Sequence, residues 1–360
     1  YNTTGSNNIG IGESALFLNG TGNGNVAMGT AALHNNQSQN GLVAIGDSAL
    51  YANSSGYSNT AVGAYSLSNN TGGGENTAIG FWALRKNTTG TWNTALGAYA
   101  LRKNTSGYNN IAVGTGALRN STIGSNNISI GSNAMGQNTT GSENIAIGLG
   151  ALEYSNDDTH NTAIGIFCMA QNGSSYKTGV GASAVSLNSA HDNSAGFGYD
   201  ADPTAGNTIY LGNTSIISIK GQVGFTTYSD ARFKTSVNNE DVKGLEFIAK
   251  LNPVTYYYDI DNYADWKEEN HGERDTAQWE GKYNIEKIRF SGFIAQEVEA
   301  AAKEAGYDFS GVDKPKNDKD IYGLRYAEFV VPLVKAVQEQ QAIIEELKTE
   351  IEMLKTELQR

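Results

Sequence analysis

NTAIGFWALRKNTTGTW, Asn76 to Trp92, decides the fold, because the next seventeen residues, NTALGAYALRKNTSGYN, Asn93 to Asn109, nearly repeat it. The central Gly recurs at 12, 29, 46, 63, 80, 97, 114, 131, 148 and 165, every interval being 17, and continues at 181 and 198 with one residue deleted once. A fixed period of this length is the signature of a repeat architecture. Four residues after each Gly stands a large apolar residue: Leu16, Leu33, Leu50, Leu67, Leu84, Leu101, Leu118, Met135, Leu152 and Met169. The place before it is small, as Ala83 or Ser66, and Cys168 fills it in its own repeat. Cys168 is therefore expected as a buried small apolar residue and not as a reactive thiol.

The residues leading into each Gly alternate β-branched or apolar with small ones, as in Thr77-Ala78-Ile79, which predicts a short strand. NNTG and NTTG supply turns, since Asn and Gly tolerate left-handed backbone. A helical reading fails because Gly and Asn recur too often inside the period. The repeat therefore predicts one coil of a parallel β-solenoid or β-roll. Coils pairing at roughly 4.8 Å would rise about 58 Å over twelve turns, with stability coming from stacking. Asn53, Asn70, Asn87 and Asn104 are expected to stack as a hydrogen-bonded ladder. NTTG at 2–5 has the phase of NTTG at 87–90, which predicts further repeats upstream of Tyr1.

The 360 residues carry a net charge of −12, unevenly distributed. Residues 1–200 hold 6 Lys/Arg and 9 Asp/Glu, against 18 and 27 in residues 229–360. That shift marks a boundary near 200–228; with the repeats and the motifs and resemblance given below, four segments are expected: repeats at 1–198, a β neck at 199–228, a compact domain at 229–325 and a helix at 326–360. No basic run occurs, which argues against nucleic acid as a partner. No apolar run approaches the roughly 18 residues of a membrane span, so no membrane insertion is expected. A single Cys rules out a disulfide framework and a Cys-based zinc site. The His residues, at 34, 160, 191 and 271, show no metal-ligand pairing. No metal and no cofactor are expected. Asp and Glu are too sparse in the repeats for a calcium ladder. Tyr57, Phe81, Trp82, Trp92, Tyr99 and Tyr108 sit at variable repeat positions. Two readings stand for them: stacking on sugars of a cell-surface glycan, or covering the thin core or a subunit contact.

Beyond the repeats, residues 207–228 alternate like strands with Gly turns. EDVKGLEFIAKL, 240–251, places Val242, Leu245, Ile248, Ala249 and Leu251 on one helical face. NPVTYYYDI predicts a strand, and residues 261–284 an insertion of no assigned structure. Residues 287–306 predict a strand running into a helix that Gly306 ends. The last helix carries a heptad seam, with Val337, Ile344, Ile351 and Leu358 at a and Leu333, Gln340, Leu347 and Leu354 at d. Glu350 and Lys355 fall at g and the following e. The seam predicts self-association; the heptads alone do not choose the number of strands.

The NxAxG strands resemble the head repeats of trimeric autotransporter adhesins, which implies left-handed parallel β-rolls in a trimer, although the common adhesin repeat is shorter than 17. Similar Asn/Gly-rich arrays occur in tail fibres of phages and phage-like particles. SDARFK at 229–234, GFIAQEVE at 292–299, LRYAEFVVPLVKAV at 324–337 and the terminal seam follow one another in that order. Together they resemble the C-terminal intramolecular chaperone domain of phage tail spikes and fibres, including endosialidases. This is the S74 peptidase family, whose domain also occurs in myelin regulatory factor.

The resemblance, over about 226–360, implies a homotrimer, guided folding of the upstream fibre, and a single-turnover serine autoprotease. It places the nucleophile at Ser229, the general base at Lys234 and the cut bond at Tyr228–Ser229. Asp230, Arg232, Gln296 and Glu297 are candidate supports.

A Ser hydroxyl needs a base to become nucleophilic, and a Lys serves only when burial or nearby positive charge lowers its pKa. Arg232 and Phe233 are placed in sequence to supply both. Attack within one chain and attack on a neighbouring chain both remain open. From SDARFK alone, Ser229-Asp230 reads equally as a helix cap with Lys234 solvated. The expected setting is the tail fibre of a phage or phage-like particle, or a bacterial surface. Competing readings are an uncleaved surface spacer that only associates, and a glycan-processing tail spike, for which the repeats offer no convincing carboxylate pair.

Overall fold

Alternation over three residues is enough to make a strand only if neighbours hold it, and here every neighbour is the next copy of itself. The computed structural model describes residues 3–171, 173–185, 192–222, 224–271, 281–318 and 320–359, with main chain only at 270–271. Thirteen three-residue strands, β1 (Ile9–Ile11) to β13 (Ile209–Leu211) in chain order, form one sheet in which each pairs with the next. All pairs are parallel and in repeat register, as Thr77↔Thr94, Ala78↔Ala95 and Ile79↔Leu96. This is the parallel β-solenoid expected from the period. The chain divides into two compact units, Tyr1–Thr214 and Ser215–Arg360.

Each coil buries a small, repeated set. Ala78, Ala83 and Leu84 are all 0 % exposed, as are their equivalents in most coils. To turn Leu84 inward the backbone adopts φ 49° there and 60° at Trp82. Both values are costly for residues with a Cβ. Burial of the Leu column offsets that cost coil after coil. The marker Gly has a different reason. Gly80 has φ 138°, and a Cβ added to it would lie 2.5 Å from the Gly97 carbonyl oxygen. Only hydrogen fits between successive coils at this corner.

Two columns of buried Asn tie the coils. In the first, Asn70 Nδ2 donates to Asn53 Oδ1 at 2.9 Å, and Asn87 and Asn104 each donate to the preceding Asn at 2.8 Å. Each also donates within its own coil, as Asn87 Nδ2 to the Gly90 carbonyl at 2.9 Å. This is the expected ladder. A second column was not anticipated: Asn76 uses both its backbone N–H and Nδ2 to reach Asn59 Oδ1, at 2.9 and 3.1 Å, and Nδ2 also donates to Gly90 O. A side-chain amide both donates and accepts, so one Asn can serve the coil below and the coil above.

Departures from the repeat show what it does. Ser121 replaces an Asn of the first column, and both Ser121 Oγ and Asn104 Oδ1 are buried without a partner. Cys168 is buried, and burial pushes its thiol pKa up to about 12. Its extra bulk faces Gly179, where a Cβ would come within 2.6 Å of the sulfur, so Gly replaces the Ala of other coils. In the shortened coil, Lys177 takes the second-column position, with its N–H on Asn161 Oδ1 at 2.9 Å. Its side chain is buried, and burial pushes its pKa down to about 8 against the opposing pull of Asp158, Asp192 and Asp202.

Residues 207–228 contribute one strand, β13, which extends the solenoid sheet. Among the described residues of 212–228 no second strand forms. Ile216, Ile217 and Ile219 carry the apolar pattern there but remain exposed, with no strand beside them.

In the second unit β14 (Val254–Tyr256) pairs antiparallel with β15 (Phe290–Gly292), and β16 (Val312–Asp313) with β17 (Gly323–Leu324). The helices are α1 (Leu245–Ile248), α2 (Ile260–His271), α3 (Ala295–Glu304) and α4 (Val330–Leu358). Gly306, at φ 62°, follows the end of α3. The helical face read over 240–251 needs correction: α1 is a single turn, and its buried residue is Phe247, not those of the expected face. Phe247 packs with Val298, Ala302, Phe309 and Phe329 in the core of this unit. A one-turn helix has no stripe to bury, so the largest side chain decides. Residues 261–271, expected without assigned structure, are helical within α2, which begins at Ile260, the last residue of the stretch expected as a strand, while 272–280 lie outside the described residues.

The ladder and the thiol each predict a measurement. Ser121→Asn should supply the missing rung and raise unfolding free energy by about 1–2 kcal/mol, whereas Asn87→Ala should lower it by about 2–4 kcal/mol. Denaturant midpoints would check both, and a lower midpoint for Ser121→Asn would contradict the ladder account. Cys168 should resist a thiol reagent at pH 8 in the native protein and react fully once the chain is denatured.

Candidate functional site

SDARFK folds as its first carboxylate dictates. Asp230 has extended backbone and caps a single 3-10 turn over Ala231–Phe233, its Oδ1 accepting from the Arg232 N–H at 2.9 Å. The turn closes with Phe233 N–H on Asp230 O and Lys234 N–H on Ala231 O. These bonds draw residues 230–234 into one tight turn. Lys234 Nζ comes back over Ser229 and donates to its Oγ at 2.7 Å. The cap and the Ser–Lys contact, weighed as alternatives from sequence, coexist.

The supporting residues behave differently. Arg232 closes on Asp230, Nη2 to Oδ2 at 2.6 Å, and this guanidinium holds the Asp230 carboxyl below the usual carboxylate range. Arg232 also lies 5.5 Å from the centroid of the Phe233 ring. Its positive charge is matched by Asp230, and Phe233 is 82 % exposed. Every described residue from 224 to 241 is exposed, with Tyr228 at 99 %. Within one chain, then, the Arg232 charge is already matched and the segment around Lys234 is exposed. Gln296 and Glu297 are not brought to Ser229. Gln296 lines a cavity of about 680 Å³ with Tyr256, Tyr258, Phe293, Tyr322 and Tyr326, and Glu297 accepts from Asn252 Nδ2 at 3.2 Å.

GFIAQEVE does bear on the unit's architecture. Tyr326 Oη accepts from the Phe293 N–H at 3.1 Å, and a Cβ on Gly292 would collide with that oxygen. The Gly and the Tyr are thus one device joining β15 to the start of the last helical segment. Glu339 on α4 makes another, its Oε2 accepting from the Leu245 N–H at 2.7 Å. The sequence reading missed both, because each is a side chain on a backbone group far away in the chain.

The heptad seam lies on α4 as expected, and no described residue covers it. Leu333, Val337, Ile344, Leu347, Ile351, Leu354 and Leu358 are all exposed, while Pro332 and Ala336 are the helix's buried residues. Among the described residues, no group of His, Cys, Asp or Glu is arranged to hold a metal ion, and no helix is long and apolar enough to cross a membrane. His191 and the His271 side chain lie outside the described residues.

Neither curated proteins nor solved structures give a match to this chain. Residues 229–307 match the Peptidase_S74 family, described as the chaperone of endosialidase. That match begins at Ser229 itself and includes α1, α2, α3 and the β14–β15 pair. With a parallel β-solenoid ahead of a domain of this family, the chain has the arrangement of a tail-fibre-type protein that ends in its own chaperone.

Proposed function

We propose that this chain is a fibre shaft whose C-terminal unit gathers copies of itself into a trimer, guides the solenoid into register, and then cuts Tyr228–Ser229. The single observation that carries the cleavage reading is the 2.7 Å contact between Lys234 Nζ and Ser229 Oγ at the first residue of the family match. In this mechanism a neutral Lys234 takes the hydroxyl proton as Ser229 Oγ attacks the Tyr228 carbonyl. The peptide bond breaks, the Ser229 amine leaves with a proton, and water resolves the ester. A neutral lysine needs desolvation. Copies packed around the exposed 224–241 segment would supply it, which links the chemistry to assembly.

The uncovered seam on α4 is the assembling element in this reading. Seven apolar side chains on one helix, left exposed, favour burial against like helices. Parallel β arrays have high contact order and sticky edges, so joining chain ends first raises the local concentration of the partners before the coils stack. Cutting the clasp away afterwards leaves the shaft without its route back to separate chains. The setting is an extracellular one, the tail fibre of a phage or phage-like particle, or a bacterial surface. Asp230 and Arg232 shape the turn, and the reading asks no chemistry of Gln296 or Glu297.

Purified wild type should run on a denaturing gel as two fragments, 1–228 and 229–360, and as a trimer by native mass. Ser229→Ala and Lys234→Met should each give one full-length band while keeping the trimer. Ile344→Lys with Leu347→Lys should yield an uncut monomer. A single wild-type band would leave the uncleaved spacer as the function, and a cut monomer would break the link to assembly.

A further inference from the structure

Five of the six Lys and Arg residues in the first 200 positions stand close together: Arg85, Lys86, Arg102, Lys103 and Arg119. They occupy equivalent places on three successive coils, with Lys86 N–H on Arg102 O and Lys103 N–H on Arg119 O tying the coils at that corner. None of the five side chains makes a hydrogen bond or ion pair among the described residues. Two of them instead lie over aromatic rings. Arg85 Cζ is 4.3 Å from the Trp82 centroid, and Arg102 is 5.7 Å from Trp82 and 5.9 Å from Tyr99. Phe81 stacks on Trp82 at 5.1 Å, and Tyr99 meets both rings edge-on. Trp82 Nε1 and Arg85 Nε are shielded from water and have no partner. An aromatic bed holds guanidinium groups in place with their donors unused.

We infer that this corner binds an acidic polysaccharide, one that carries carboxylates along an extended chain. Guanidinium forks match carboxylates two bonds at a time. Coils spaced at roughly 4.8 Å place successive cations at intervals comparable to one sugar unit.

A second copy of this chain fits poorly. Copies aligned in register present the same coils to one another, and residues 64–131 contain Glu75 as their one carboxylate against five cations. Such neighbours would add repulsion. A nucleic acid also fits poorly, since Trp82 is already engaged by Phe81 and Arg85 and offers no free platform for a base. The inference takes its biological setting from the fibre reading, but the binding itself does not depend on cleavage.

The test uses the full chain with three probes: polygalacturonate, neutral dextran, and a single-stranded thymidine oligonucleotide. Polygalacturonate should bind, weaken as salt rises, and outcompete the other two. Arg85→Gln with Arg102→Gln and Arg119→Gln should weaken it by about tenfold or more. Lys287→Gln with Lys303→Gln, cations of the other unit, should leave it unchanged. Should the triple variant fold poorly, Lys86→Gln with Lys103→Gln keeps the aromatic bed and should still reduce binding several-fold. Ser229→Ala should bind as wild type, so loss of cleavage and loss of binding are read separately. Equal binding of dextran, tighter binding of the oligonucleotide, no binding at all, or a triple variant that changes native mass would each overturn the assignment. The last result would make the corner a contact between copies.

Discussion

The structure of the shaft depends on how closely one coil can approach the next. At the marker Gly the gap admits a hydrogen and nothing larger: a Cβ on Gly46 or Gly148 would sit within 2.7 Å of the following coil's main chain. That contact, together with the strand pairing, fixes how closely the coils stack. It also explains why a coil lacking one residue keeps its strand register, Thr162↔Thr178, and its Gly, while the deletion falls in the turn between Met169 and Lys177. The remaining features follow from the close approach. Amides stacked at this spacing can hydrogen-bond directly, so Asn becomes the preferred buried polar residue, and a thin Ala–Leu core suffices because each coil is covered by two others.

Much of this was legible because the period multiplies every signal. One Asn inside a turn says little, but Asn53, Asn70, Asn87 and Asn104 at equal spacing say that they meet. What remained hidden were features that contradict local preference. Leu at φ 49° in Leu84 is disfavoured residue by residue and is imposed by the coil. The exchange of bulk between Cys168 and Gly179 was equally unreadable, since the two are joined only by the way the coil closes.

The second unit has no period to amplify its signals. Its seam was readable, being a repeat itself. Phe247 was not, because a single helical turn offers no periodicity from which to tell the buried face. At the site, the family resemblance named Ser229 and Lys234 as a pair where the residues alone read as a cap, and a capped turn brings the two side chains together. Within one chain the environment expected for that pair is not present. Arg232 is matched by Asp230, two residues away, and the exposed segment supplies no burial. Adjacency in sequence was a poor guide to what surrounds the amine.

The contrast between the two units bears on why the fibre carries a chaperone at all. A stack of nearly identical coils has a weakness that follows from its regularity. Two copies displaced by one coil would present nearly the same surface to one another, because the coil recurs at every seventeen-residue step. The surface places where the repeat varies, such as Phe81 and Trp92, are what would distinguish one register from another. Stability and register are therefore separate problems in this chain. The repeat solves the first. The second calls for a segment with no internal repeat at coil spacing, joined to the array, and under the proposed function the α+β unit with its terminal helix meets this need. Under that proposal the assembly device has done its task once the coils have stacked in line, and a bond at its first residue is then a sensible place to cut.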